Sequence, residues 1–356
     1  MTASHPELTT DQFAAKIFDV VRGAASAQAL YLGDRLGWYR TLADHGPSTA
    51  TELAERSGTD ARYAREWLEQ QVVSGVLTAD LAHDPVRFEL PRAHAAVLVD
   101  TESTSFMLPL ARLFAATGVR LPDLVQAYRT GGGVSWAQLG VDAREAQGAM
   151  NRPVFSTQLT IELLPLVPDL HQLLTAGGRV ADIGCGEGWA SIALAVGYPS
   201  LHVHGIDVDA PSIAAAARNA SERGVADRVT FDVADAAELR DAAYDAVFAF
   251  ECIHDLPDPV GVLAAMRRIA EPGAPVIVMD ERTADVFTPD AGPVEELLYG
   301  YSILCCLPDG KSHENTVATG TVMRASTLDT YARSAGFDGA SVLPIDHEFF
   351  RFYRLQ

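Results

Sequence analysis

Lysine is nearly missing from this chain. Lys16 and Lys311 are the only two among 27 basic residues, which face 47 acids for a net charge of −20. Such an excess of negative charge disfavours contact with nucleic acid or an anionic bilayer, because phosphate binding needs a basic surface. Cysteine is scarce too: Cys185, Cys252, Cys305 and Cys306 are the whole complement. None stands in a C-x-x-C spacing, and adjacent cysteines rarely bridge, which argues against a disulfide framework or a zinc cage. No run of about 18 apolar residues occurs, so no membrane span is expected. The start, Met1-Thr-Ala-Ser-His-Pro-Glu-Leu8, lacks a basic stretch and a long apolar one. No secretory signal is therefore expected, and the cytoplasm is the expected compartment.

What is present is enough apolar material, 48% of 356 residues, for a sizeable core and two domains. Between Asp11 and Leu36 apolar residues recur at helical spacing (Phe13, Ile17, Val20, Val21, Ala24, Leu30, Leu36), as one helix or as two broken near Gly23. Thr49 and Asp60 are placed to cap two short helices closed by Gly58 and Gly75. Val76–Thr78 and Val86–Leu90, with a polar turn between, read as a hairpin. Helix, turn, helix and hairpin make a winged-helix unit. The stretch from about Ser105 to Leu174 reads as helical, interrupted at Gly131-Gly132-Gly133.

Beyond Gly177-Gly178 strands and helices alternate. Strands are expected at Arg179–Ile183, His202–Ile206, Val229–Val233, Ala246–Phe250 and Pro275–Met279, and a closing hairpin at Ala340–Leu343 with Phe349–Leu355. This order predicts a parallel sheet with helices on both faces.

The first of these strands ends in Val180-Ala-Asp182-Ile-Gly184-Cys185-Gly186-Glu-Gly188. Glycine lets the backbone take unusual torsions and lets a ligand come close. A dinucleotide fingerprint would read G-x-G-x-x-G, whereas here the spacing is G-x-G-x-G and Trp occupies position 189. A carboxylate at Asp182 suits a cationic amino-acid moiety. Asp207, with Val208 after it, ends the next strand, where an acid can accept from both ribose hydroxyls. Asp235 and Ala236 follow the third strand, where a carboxylate can take the adenine amine and a backbone N–H can serve the ring. Three such positions at three successive strand ends match a nucleoside joined to an amino acid, as in S-adenosylmethionine (AdoMet).

These motifs resemble the cofactor half of the class I AdoMet-dependent methyltransferases, over roughly Leu166 to Gln356. With the winged-helix unit in front, the chain is similar to the plant-type small-molecule O-methyltransferases and their bacterial relatives. The resemblance implies an α/β fold: a doubly wound, mostly parallel, seven-stranded Rossmann-like sheet with a C-terminal antiparallel hairpin, plus a mainly helical N-terminal domain. It implies a winged-helix dimerisation domain over 1–104, a helical connector covering the pocket over 105–165, and a methyltransferase domain over 166–356. AdoMet would be the cofactor and S-adenosylhomocysteine (AdoHcy) the product. The cofactor set would be Asp182, Gly184, Cys185, Gly186, Gly188, Asp207, Val208, Asp235, Ala236 and Glu251. Glu251 could equally be a solvated loop acid.

Methyl transfer is an in-line displacement at a sulfonium carbon, and an oxygen or nitrogen acceptor often needs a base. The fourth strand runs into Glu251-Cys-Ile-His254-Asp255-Leu-Pro-Asp258. In the resembling family a His-Asp pair supplies the base here, which His254-Asp255 matches, although Leu256 stands where a tryptophan is common. The other reading of His254 is a structural residue capping the next helix. No metal site is expected: Glu251 and Asp280 could hold Mg²⁺ by oxygen, but an Asp280–Arg282 salt bridge is the simpler reading. Acceptor contacts are expected from Met150, Asn151 and Phe155, and from Tyr299 and Tyr301 in the segment Glu296–Pro308, which also carries Cys305-Cys306. Those two segments also fit ordinary core or subunit contact. His347 lies in the last hairpin turn.

The expected partners are a small, partly apolar methyl acceptor and a second copy of the chain. An AdoMet-binding transcriptional regulator that reads DNA with its winged helix is the alternative. Its reading helix would carry Arg62 and Arg65, but Glu66 and Glu69 share that helix. Residues 1–100 hold nine Lys/Arg against fourteen Asp/Glu, where a DNA reader needs a positive field.

Overall fold

The computed structural model describes residues 8–240 and 243–356. Residues 1–7, where no secretory signal is expected, lie outside that range. The chain divides into two compact units. One runs up to Val119 and adds Val141–Pro153; the other comprises Arg120–Gly140 and Val154–Gln356. The stretch 105–165 is thus shared between them.

In the first unit the helix Thr10–Arg35 is continuous through Gly23. Thr9 opens it with a capping box, its hydroxyl accepting from Gln12 N–H while the Gln12 side chain accepts from Thr9 N–H. Shorter helices follow at Trp38–His45, Ala50–Ser57 and Ala61–Val73, then strands β1 (Thr78–Asp80) and β2 (Arg87–Glu89), paired antiparallel. Thr49 caps the second short helix through a box with Glu52, and Gly58 ends it with φ +65°. Trp38, Tyr39, Leu42, Leu53, Leu68 and Phe88 form the core. Arg62 pairs with Glu66 and Arg65 with Glu69 one turn apart. Both arginines offered to DNA are therefore neutralised within their own helix.

The second unit is built on a seven-stranded sheet. Its strands are β3 (Gly178–Ile183), β4 (Leu201–Asp207), β5 (Val229–Val233), β6 (Ala246–Phe250), β7 (Val276–Glu281), β8 (Ala340–Val342) and β9 (Phe350–Leu355). They lie in the order β5-β4-β3-β6-β7-β9-β8. The first five are parallel; β9 runs antiparallel to both β7 and β8. The central strands β6 and β7 are buried along their whole length, as a sheet covered on both faces requires. The chain moves outward from β3 to β4 and β5, then returns to lay β6 on the other side of β3. The carboxyl ends of β3 and β6 flank that reversal, where α/β sheets hold ligands. Among the described residues no helix is long and apolar enough to cross a membrane.

Candidate active site

β3 carries Asp182 to the carboxyl edge of the sheet, where it is 1% exposed. Its Oδ2 accepts from the Ser191 hydroxyl at 2.5 Å, and its Oδ1 has no hydrogen-bond partner among the described residues. Burial lifts this carboxyl to about 7; Asp207 adds to the rise and the Ser191 bond opposes it. Ser191 was not anticipated from the sequence. The available signal was a hydroxyl in the otherwise apolar start of the helix Trp189–Gly197.

The glycines of the turn divide by what surrounds them. Gly184, Gly186 and Gly188 all have positive φ, at 69°, 51° and 78°. A Cβ on Gly184 would stand 2.7 Å from Cys252 Sγ, and one on Gly188 would stand 2.7 Å from the Phe231 ring. At Gly186 no atom of the described residues lies within 4 Å of that position. Two of the glycines permit packing, and the middle one keeps an open approach to the backbone. Cys185, between them, is buried.

Asp207, at the end of β4, is bound into the same turn. Its Oδ2 accepts from Gly186 N–H and its Oδ1 from Asp209 N–H, both at 2.8 Å. Asp209 itself caps the helix Ala210–Glu222. Val208 is exposed, as is Asp235, which accepts from Ala237 N–H at 2.9 Å, while Ala236 is buried.

The end of β6 is strained. Glu251 has φ +56°, a left-handed conformation that costs a non-glycine residue about 1–2 kcal/mol. Strain of this kind gathers at functional sites. Three residues on, His254 is 2% exposed. Its Nδ1 is bonded to Asp280 Oδ1 at 2.7 Å, with Glu281 Oε2 at 3.4 Å; its Nε2 lies 3.3 Å from Asp255 Oδ1. Burial works to lower the imidazole pKa, but Asp255, Asp280 and Glu281 outweigh it and hold His254 well above its ordinary value. Burial also opposes ionisation of Asp280, yet the His254 partnership keeps that carboxyl below its usual range. Glu281 is pushed up by burial and by its acidic neighbours. The three groups thus shift one another, with His254 and Asp280 each favouring the charged form of the other and Glu281 pushed toward its neutral form.

Two simpler readings give way here. Asp258, not His254, caps the following helix, accepting from Gly261 N–H at 2.8 Å. Asp280 does not pair with Arg282, whose guanidinium goes to Asp346 and the His347 carbonyl. His347 Nδ1 accepts from the Phe349 and Phe350 N–H groups, so it organises its own turn.

The expected acceptor residues are dispersed. Tyr301 is half-buried near Glu251, Glu281 and the two adjacent cysteines, and burial raises its phenol pKa. The Tyr299 hydroxyl instead accepts from Arg324 at 3.0 Å. Phe155 is buried edge-on against Phe250, the last residue of β6. Met150 and Asn151 are half-buried in the helix Val141–Val154, in the first unit.

The residues of the turn suit a cationic group such as the ammonium of AdoMet. Asp182 Oδ1 is a buried acceptor without a donor, and Gly186 leaves open the space a side chain would fill. A parallel sheet in this order, with acids at the ends of β3 and β4, defines a class I methyltransferase fold. Comparisons with known proteins agree. Residues 174–300 match a methyltransferase-domain family, and residues 24–100 match a Rv2258c-like winged helix-turn-helix domain. The mitomycin biosynthesis 6-O-methyltransferase of Streptomyces lavendulae is 30% identical over 276 residues, covering 74% of this chain and 76% of that protein. The 27-O-demethylrifamycin SV methyltransferase of Amycolatopsis mediterranei is 36% identical over 127 residues, 35% of this chain and 44% of that one. Norajmaline N-methyltransferase of Rauvolfia serpentina is 31% identical over 137 residues, 36% of this chain and 47% of that protein. The chain thus spans less than half the length of these last two relatives. The fold is that of the mitomycin 7-O-methyltransferase MmcR, with a TM-score of 0.73 at 23% identity over 98% of this chain and 99% of that one. It is likewise that of human N-acetylserotonin methyltransferase, solved with AdoMet (TM-score 0.72, 18% identity, 100% and 99% covered). The chain belongs to the AdoMet-dependent methyltransferases, in the branch with a winged-helix domain ahead of the transfer domain.

Proposed function

We propose that this protein transfers a methyl group from AdoMet to an oxygen of a small, partly apolar acceptor. The observation that carries the reading is the row formed by orphaned Asp182, open Gly186 and the His254–Asp280 pair along the ends of the neighbouring strands β3, β6 and β7. When bound, AdoMet supplies an electrophilic methyl on a sulfonium. Asp182 holds the ammonium of the amino-acid part; Gly184, Cys185, Gly186 and Gly188 shape the seat beneath it. Asp207 accepts from the ribose hydroxyls with lone pairs its two backbone bonds leave over. Asp235 and the Ala236 N–H meet the adenine, with Val208 as an apolar edge. Glu251 closes the seat from the end of β6.

His254 Nε2 takes the acceptor proton. Asp280 on Nδ1 fixes the ring and stabilises the charged imidazolium, so the ring enters the reaction already aimed. The raised pKa of His254 makes it a stronger base whose proton-free form grows as pH rises, and turnover should therefore climb with pH. Tyr301 is the acceptor contact with the best support, from its neighbours; Met150, Asn151, Phe155 and Tyr299 complete the proposed set. Nitrogen is the second reading for the accepting atom, favoured by the likeness to an N-methyltransferase. A cytoplasmic homodimer completes the proposal. Phe13, Ile17, Phe18, Val20 and Val21 expose between 45 and 69% of their surface on the first helix, a face suited to a second copy.

Calorimetric titration with AdoHcy tests the cofactor site, with NADH as control. Micromolar AdoHcy binding is expected, together with a loss of about 2 kcal/mol in Asp207→Ala, the size of a hydrogen-bonded charged group. A folded protein that ignores AdoHcy would overturn the reading.

A further inference from the structure

Cys306 ends a π-helical turn, Ser302–Cys306, that brings its thiol against the His254 imidazole. The metal-ligating atoms of His254, Asp255 and Cys306 all lie within 4.8 Å of one another. Tetrahedral zinc with bonds of about 2.0–2.3 Å needs ligand atoms about 3.3–3.8 Å apart. The His254 Nε2–Asp255 Oδ1 separation of 3.3 Å already meets this, and the Cys306 thiol lies within 4.8 Å of the other two ligand atoms. The other ring nitrogen, Nδ1, is held by Asp280 at 2.7 Å, the outer carboxylate–histidine arrangement that orients a metal-binding imidazole. The neighbouring cluster of His254, Asp280 and Glu281 lacks this division of labour, because there Nδ1 is already committed to Asp280.

We propose that His254 Nε2, Asp255 and Cys306 form a three-ligand site for a thiophilic divalent cation such as Zn²⁺, with a fourth position for water. On binding, the Cys306 thiol and the protonated His254 Nε2 each give a proton to solvent, and the thiolate and the freed nitrogen complete the set with the Asp255 carboxylate. The imidazole that the proposed reaction uses as base is then occupied. Zinc is thus an inhibitor that competes for one nitrogen, a consequence that rests on the methyl-transfer reading, whereas the binding itself does not. The hard cation Mg²⁺ is refused, because sulfur and imidazole are poor ligands for it.

The test uses the full chain saturated with AdoHcy and titrated calorimetrically with zinc chloride, then with magnesium chloride. One Zn²⁺ per chain at micromolar affinity or tighter is expected, and no Mg²⁺. X-ray absorption should report one sulfur near ~2.3 Å beside nitrogen and oxygen near ~2.0 Å. Cys306→Ser and Asp255→Asn should each weaken zinc at least tenfold while retaining AdoHcy binding; the second variant serves if the first does not fold. Absence of saturable zinc binding, a coordination sphere without sulfur, or wild-type affinity in both variants would overturn the site. AdoHcy binding in chelator separates this outcome from failure of the cofactor reading.

Discussion

The carboxyl of Asp182 offers a quantitative test of the cofactor seat. Burial lifts it to about 7, so near neutrality it is caught midway through titration. The proposed partner is an ammonium, which binds the ionised form. A raised carboxyl pKa means that the binding form is gained as pH climbs through 7 and lost below it. With a value of 7, about 3% of the chains carry the anion at pH 5.5 and about 76% at pH 7.5. Affinity for AdoHcy should therefore rise about 25-fold across that range, or about 1.9 kcal/mol. The ligand's amino group belongs to a free amino acid, where the neighbouring carboxylate makes it more basic than a chain terminus, and it stays protonated over these two units. Calorimetry at half-unit intervals reads the slope, and at pH 6 in buffers of different ionisation heat it should also find nearly one proton released per ligand bound. Asp182→Asn should flatten the profile and bind more weakly at pH 7.5. A flat profile in the wild type, with no proton release, would refute the argument that Asp182 meets the ammonium.

The other tests address different links. His254→Ala should lower kcat by about 10²–10⁴, the usual share of a general base, with AdoHcy affinity intact; an unchanged kcat would leave proximity alone as the mechanism. Because Asp255, Asp280 and Glu281 raise the His254 pKa, the wild-type rate should rise with pH above neutrality, and Asp255→Asn should move that limb to lower pH. Gly186→Ala and Gly188→Ala should separate in their effects. The first places its methyl in open space and should abolish AdoHcy binding at a stability cost of about 1–2 kcal/mol. The second meets Phe231 at 2.7 Å and should lower the melting temperature more. Phe18→Glu on the exposed helix should convert a dimer to a monomer by light scattering; a wild-type monomer would remove the dimer proposal.

Much of the fold was legible because period and punctuation agree. β3, β6 and β7 are short apolar runs ended by glycine or acid, β4 and β5 alternate apolar with polar residues, and each of the five falls within two residues of its expected position. The capping residues Thr49 and Asp60 were readable for the same reason: they act on N–H groups two or three positions away. Pairings between distant strands were not readable. Position 280 precedes 282 in sequence, so an Asp280–Arg282 pair looked natural. In a strand, however, residues two apart share one face, and the partner that wins is the one the sheet brings alongside. Here β6 lies beside β7, and the loop after β6 folds His254 back onto Asp280, 26 residues away in the chain.

The same limit explains the orphaned oxygen of Asp182 and the thiol beside His254. The motif tells that an acid ends β3; only the depth of the sheet tells that it is buried and half-titrated at neutral pH. Cys306 looked like a piece of apolar wall because cysteine at helical spacing usually is. Its chemistry changes with its neighbour, since a thiol facing an imidazole and a carboxylate is a ligand set where a thiol facing leucines is not. Buried groups in this site also pull on one another: the charge of His254 holds the Asp280 pKa down against burial, while burial, Glu251 and Asp280 push that of Glu281 up. A substitution at any one of the three therefore changes the protonation of the other two. Asp280→Asn should accordingly lower the His254 pKa and let Glu281 ionise in its place, partly restoring the lost carboxylate at Nδ1.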